Sequence, residues 1–129
     1  MLSYTYELFK ERPDILALWQ NKYKYILIDE FQDINRLQYE IIKMLAAPQN
    51  NLFIVGDDDQ SIYRFRGSKP EIMLGFEKDY PNAKRILLDT NYRCGRYIVE
   101  ASLNLISHNR ERFDKKIIAA SKSKAPVTF

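Results

Sequence analysis

Apolar stripes at helical spacing alternate along this chain with short unbroken apolar runs. Over the first twenty residues, Tyr4, Leu8 and Phe9, then Ile15, Leu16 and Trp19, recur at the spacing that lines one helix face. Pro13 interrupts them, so two short helices or one kinked helix are expected. Residues 25–28 differ: they form a continuous β-rich apolar run ending in Asp29-Glu30, which reads as a buried strand with acids at its C-terminal end. Asn35 and Gln38 then have capping-box spacing, and Leu37, Ile41, Ile42 and Leu45 mark the apolar face of the helix they open. Pro48 and Asn50-Asn51 break that helix.

The same pattern then recurs. Residues 52–55 predict a second buried strand, ending at Gly56-Asp57. Ser68 and Glu71 predict a second capping box, with Ile72, Met73 and Phe76 as the stripe behind it. After Pro81-Asn82, residues 86–88 predict a third strand ending at Asp89. A long helix follows, with Ile98, Ala101 and Leu105 on one face and Val99, Leu103 and Ile106 beside them. From about Asp114 the chain is basic and rich in small residues. The expected organisation is one domain over residues 1–113 and a tail or passage to further sequence over 114–129.

Strands alternating with helices imply an α/β fold, with a parallel three-stranded core, flanking helices and right-handed crossovers. Open sheets of this kind bind ligands beyond the C-terminal ends of their strands. Asp29-Glu30, residues 56–60 and Asn91-Tyr92-Arg93 each follow a predicted strand end, so three loops should converge on one edge.

Composition adds limits. A chain of 129 residues, 46% hydrophobic and 29% charged, can bury a core and is not a disordered tail. The net charge is only +3, but residues 84–124 hold ten Lys or Arg against four Asp or Glu. That basic third is either a solvated face or a patch for an anionic partner. Cys94 is the single cysteine, which excludes an intrachain disulfide, and a lone His108 cannot complete a zinc site with it. Nothing in the sequence points to a membrane or a signal peptide, and the cytoplasm is the default location.

The loops suggest their own chemistry. An aspartate ending a buried strand can hold Mg²⁺ beside nucleotide phosphates, and an adjacent glutamate can polarise water; acids there can also simply cap the next helix. In DEFQD, Gln32 and Asp33 add polar groups where a simple cap needs one. Asp57, Asp58 and Asp59 repel one another unless a cation or solvent relieves them, and Gln60 can both donate and accept. The run Tyr63-Arg64-Phe65-Arg66 interleaves aromatics with cations, as single-strand nucleic-acid surfaces do. Arg93 has the fork that suits phosphate oxygens, and Tyr92 can stack on a flat heterocycle; both also suit an ordinary surface. The four glycines form no G-x-x-x-x-G-K-[ST] loop, so these residues hold only part of any nucleotide site.

With these loops in order, the chain resembles the UvrD/Rep/PcrA-type DNA helicases of superfamily 1. YILIDEFQDIN is similar to their motif II, IVGDDDQSIYRFRGS to motif III and LDTNYR to motif IV, and the resemblance covers nearly the whole chain. It implies the second half of the first RecA-like motor domain of a 3′–5′ ATP-dependent helicase or of a helicase–nuclease subunit. In that frame Asp29 binds Mg²⁺ and Glu30 is the catalytic base for ATP hydrolysis. Gln60 links the γ-phosphate to DNA, Tyr63, Phe65 and Arg66 contact single-stranded DNA, Tyr92 packs on adenine and Arg93 contacts the γ-phosphate. The family usually has tryptophan where Phe65 stands and alanine where Ser68 stands. Phe keeps the stacking face with less area, and Ser68 suits a helix N-cap.

The fragment reading implies partners outside these residues: the N-terminal half of the motor domain and a second motor domain. It makes Met1 an internal start, predicts an isolated chain that is inactive, and leaves a half-domain face that would favour self-association. The alternatives are a non-enzymatic truncation binding single-stranded DNA or a helicase partner, and a metal-dependent nuclease using Asp29, Glu30 and the three adjacent aspartates.

Overall fold

A computed structural model describes residues 1–121. The chain divides into two compact units, Met1–Asp79 and Tyr80–Phe129. Both are mixed α/β.

The first unit begins with two helices, α1 (Leu2–Glu11) and α2 (Pro13–Lys22). Pro13 occupies the first turn of α2, where its missing N–H costs nothing. Both helices pack on α3 (Arg36–Ala46). The capping box of α3 forms in both directions: Gln38 N–H donates to Asn35 Oδ1 at 2.9 Å, and Asn35 N–H donates to Gln38 Oε1 at 2.8 Å. Strands β1 (Ile26–Ile28) and β2 (Leu52–Ile54) pair in parallel, with Leu27 opposite Phe53. They are not buried on both faces as expected. Leu27 is 71% and Phe53 57% exposed, and Tyr25 and Val55, two positions away on the same sides, are exposed too.

Phe31 organises the core of this unit. It is 0% exposed and meets Tyr39 and Phe76 edge-on, with centroids 5.8 and 5.6 Å away. Edge-to-face pairs add about 0.5–1.5 kcal/mol each to the burial itself. Tyr39 keeps its hydroxyl satisfied at Asp79 Oδ2, 2.9 Å away. Ile34, Ile41 and Ile72 are also buried in this unit.

The second expected capping box does not form. Helix α4 (Pro70–Leu74) has Lys69 at its cap position with no side-chain bond, and Ser68 Oγ is buried without a partner. Pro70 is the cause, since its fixed φ and missing N–H make it the first helical residue and move the cap one place past Ser68. A short α5 (Phe76–Asp79) follows, so the stripe of Ile72, Met73 and Phe76 spans two helices that break at Gly75.

In the second unit, β3 (Thr90–Gly95) and β4 (Ile118–Ser121) pair in parallel, and α6 (Arg96–Ile106) packs on both. The third expected strand is displaced. Residues 86–88 are irregular and exposed, and pairing begins only where Ile118 N–H donates to Asp89 O at 2.8 Å. A strand needs a hydrogen-bonded neighbour, and the neighbour here, β4, starts opposite Thr90. The described residues therefore hold two two-stranded parallel sheets rather than one three-stranded core. On α6 the packed face is Val99, Leu103 and Ile106, while Ile98 and Leu105 are exposed. β4 lies inside the stretch expected as a tail; residues 122–129 of that stretch lie outside the described residues. No described helix is long and apolar enough to cross a membrane.

Candidate functional site

Two of the three expected loops meet in the first unit. The first starts where β1 ends. Asp29 and Glu30 are exposed, and the Glu30 N–H donates to Asp29 Oδ1 at 2.9 Å. Glu30 has φ 51° and ψ 43°, the left-handed region, which costs a non-glycine residue about 1–2 kcal/mol. Its neighbours hold it there. Phe31 is anchored in the core and its N–H donates to Val55 O at 2.9 Å, so the chain turns within one residue from an outward carboxylate to a buried ring.

Gln32 then joins this loop to the next one. Its side chain is 1% exposed. Its Nε2 donates to Glu30 Oε2 at 2.7 Å, and its Oε1 accepts from the Asp57 N–H at 3.0 Å. Its backbone carbonyl also accepts from Ser61 Oγ at 3.3 Å. Further along, Lys69 N–H donates to Ile34 O at 3.1 Å. Val55, Asp57, Ser61 and Lys69 thus tie the second loop to residues 28–34.

The acidic start of the second loop is a turn. Asp57 Oδ1 accepts from the Asp59 N–H at 3.2 Å, and Oδ2 accepts from Gln60 Nε2 at 2.8 Å. Oxygens of Asp57, Asp58 and Asp59 lie within 4.8 Å of one another, but Asp29 and Glu30 do not join that group. Among the described residues, the five-carboxylate cluster that a nuclease reading requires is absent. Gln60 is exposed and donates to Asp57, the residue that caps the short turn Asp58–Gln60.

The other end of the loop is aromatic. Phe65 is 78% exposed, and its ring lies 6.0 Å from that of Tyr63. A flat apolar surface is therefore presented to solvent. Arg64 turns away from it to Glu71, 2.7 Å distant. The Glu71 carboxyl titrates below its ordinary range, chiefly because its own backbone N–H donates to it, with Arg64 adding to this against the opposing effect of burial. Arg66 closes the short turn Arg64–Arg66; the role expected for its side chain lies outside the described residues.

The third expected group belongs to the second unit and lies within β3, not in a loop beyond a strand end. Asn91 Oδ1 accepts from both the Arg93 N–H (2.9 Å) and the Cys94 N–H (2.8 Å). Those donors are lost to the ladder, and the register slips between Asn91 and Gly95 as a result. Tyr92 stands out from this bulge, 83% exposed, and Arg93 is exposed beside it.

The donor chemistry at the end of β1 fits Mg²⁺. Asp29 and Glu30 offer exposed carboxylate oxygens, the hard ligands that this ion prefers. Gln32 is the residue that sequence reasoning missed. The surplus of polar groups in DEFQD was its only trace, and nothing in that string says which of them is buried.

Residues 1–81 match the family described as the UvrD/REP helicase N-terminal domain. The chain belongs to the UvrD/REP helicase family. Among curated relatives, it is 53% identical to the "Putative ATP-dependent DNA helicase YjcD" of Bacillus subtilis over its whole length, which is 17% of that protein. It is 42% identical to the "ATP-dependent DNA helicase PcrA" of Leuconostoc citreum, again over the whole chain and 17% of the relative. It is 47% identical to the "Probable DNA helicase II homolog" of Mycoplasma capricolum over 98% of this chain and 18% of that protein. The helicase-family chain thus spans about a sixth of the length of these relatives.

Proposed function

We propose that this chain is part of an ATP-dependent 3′–5′ DNA helicase or translocase, contributing the second half of a first, RecA-like motor domain. One observation carries the reading. The loop with the exposed Tyr63 and Phe65 is bonded on both sides of that pair, at Asp57, Ser61 and Lys69, to the segment that follows Asp29 and Glu30, which ties the aromatic surface to the carboxylate pair. The exposed sheet face of Leu27 and Phe53 also supports it, because parallel sheets are ordinarily covered on both faces. In this reading the rest of the motor domain covers that face, and a second copy of the chain can do so when the fragment is alone.

Each residue then has a task. Asp29 would hold Mg²⁺, which when bound would offset phosphate charge as the γ-phosphoryl group passes from ATP to water. Glu30, aimed outward by its left-handed backbone, accepts the proton of the attacking water through the carboxylate oxygen that Gln32 does not use. Gln60 answers to the γ-phosphate by exchanging its bond to Asp57. Tyr92 stacks on adenine, and the Arg93 guanidinium meets the γ-phosphate. Tyr63 and Phe65 stack on bases of single-stranded DNA, and Arg66 binds its backbone.

The test is DNA-stimulated ATP hydrolysis in the full-length protein that carries this chain. E30Q should lower kcat at least a hundredfold. The 129-residue chain by itself, without a phosphate-binding loop, should show no turnover above buffer. Robust hydrolysis by the isolated chain, or wild-type turnover in E30Q, would refute the proposal.

A further inference from the structure

Gln32 is one of the two largest fully buried side chains among the described residues, and the other, Phe31, is the core anchor beside it. A buried carboxamide must spend its bonding groups inside the protein. Gln32 spends its donor on Glu30 Oε2 at 2.7 Å and its acceptor on the Asp57 N–H at 3.0 Å. These bonds leave in opposite directions, one to the carboxylate after β1 and one to the first turn after β2. The second loop is fitted closely around the amide. A Cβ built on Gly56 would lie 2.6 Å from Gln32 Oε1, so only glycine lets the chain pass there with the bond to Asp57 intact.

The amide also fixes a rotamer. A glutamate side chain on the surface samples many, and Glu30 is exposed. With Oε2 held from a buried donor, the carboxylate has one orientation and its other oxygen is left for water. One amide therefore connects the Asp57 end of the loop to the Glu30 carboxylate. The Tyr63–Phe65 end of the same loop hangs from Ser61, which is bonded to the Gln32 backbone.

We infer that Gln32 is a positioning residue: it sets the geometry of the Glu30 carboxylate and transmits to it the state of the loop that carries the exposed aromatic pair. This rests on the assignment of Glu30 as the base and adds the part that couples it to DNA. Gln32 itself is 1% exposed, so it acts through Glu30 and the loop rather than at the surface.

Two substitutions disturb the amide in different ways. Q32E keeps an acceptor for the Asp57 N–H but sets a second carboxylate against Glu30. Q32M keeps the volume and removes both bonds. In the full-length protein, both should lower kcat for ATP hydrolysis at least tenfold with KM for ATP within threefold of wild type. The stimulation by single-stranded DNA should fall at least fivefold. Because Gln32 acts through Glu30, the E30Q/Q32E double variant should be no slower than E30Q alone.

An NMR measurement needs no change at Gln32. In the 129-residue chain, E30Q should shift both the Gln32 side-chain amide and the Asp57 backbone amide. Wild-type kcat and DNA stimulation in Q32E and Q32M, with E30Q inactive, would overturn the inference and leave the reading of Glu30 intact. Additive losses in the double variant, or an Asp57 amide unmoved by E30Q, would also overturn it. An E30Q protein of wild-type activity would overturn the reading of Glu30, and the inference with it.

Discussion

Replacing Gly56 with Ala should damage this fold more than the same change at Gly67. The added carbon would lie 2.6 Å from Gln32 Oε1, 3.1 Å from the Phe31 backbone nitrogen and 3.2 Å from Met73 Sδ. The nearest atom is the end of a side chain, which ordinarily swings aside. Gln32 cannot, because it is 1% exposed and bonded at both ends. Relief requires breaking the bond to Asp57, and stranding that half-buried N–H costs about 1–3 kcal/mol. Overpacking against Phe31 and Met73 adds about 1–3 kcal/mol. The expected total is about 2–6 kcal/mol. For a unit of this size that lowers Tm by roughly 8–48 °C. Trp19 is the only tryptophan and belongs to this unit, so its fluorescence during urea or thermal unfolding reads the loss directly. Gly67 is the control. Its φ is 88°, and the nearest atom to an added Cβ is Asn35 Cβ at 4.0 Å, so G67A costs only the left-handed backbone, about 1–2 kcal/mol. A loss below about 1 kcal/mol in G56A, or a larger loss in G67A, would refute this account of the loop.

Other outcomes follow from single contacts. N35A removes the acceptor half of the α3 capping box and should destabilise the first unit by about 1 kcal/mol in urea unfolding; an unchanged midpoint would mean that packing alone holds α3. Glu71 has a depressed folded-state pKa, so its contribution is present above the ordinary glutamate value of 4.5 and is lost as pH falls below it. E71Q should therefore cost under about 1 kcal/mol at pH 7 and less than that at pH 3.5 by the same assay; a difference that grows on acidification would reverse the sign. F65A in the full-length protein should weaken single-strand DNA binding by about 1–3 kcal/mol in an anisotropy titration, if the exposed ring stacks on a base. Unchanged affinity would remove Phe65 from the DNA surface.

Local rules written in the sequence determined much of this protein. Pro13 separated two helices, Asn35 and Gln38 made a reciprocal cap, and the apolar runs before Asp29 and Gly56 became paired parallel strands. Each of these depends on residues within a few positions of one another, or on a pattern that has one good partner. The motifs that marked the helicase family are likewise contiguous strings, legible without coordinates.

Only the tertiary structure decided the rest. Residues 86–88 have the composition of a strand but no paired neighbour among the described residues, and strand formation is a property of two segments. Ser68 has the spacing of a cap, yet Pro70 fixes where the helix starts. Asn91 diverts two donors from its own ladder and raises Tyr92 on a bulge. Gln32 shows the difference most clearly. In sequence it is one polar letter in DEFQD, but it is buried beneath two loops brought together by β1 and β2. Its two bonds run to residues 2 and 25 positions away, and only the folded chain puts both within reach of one amide.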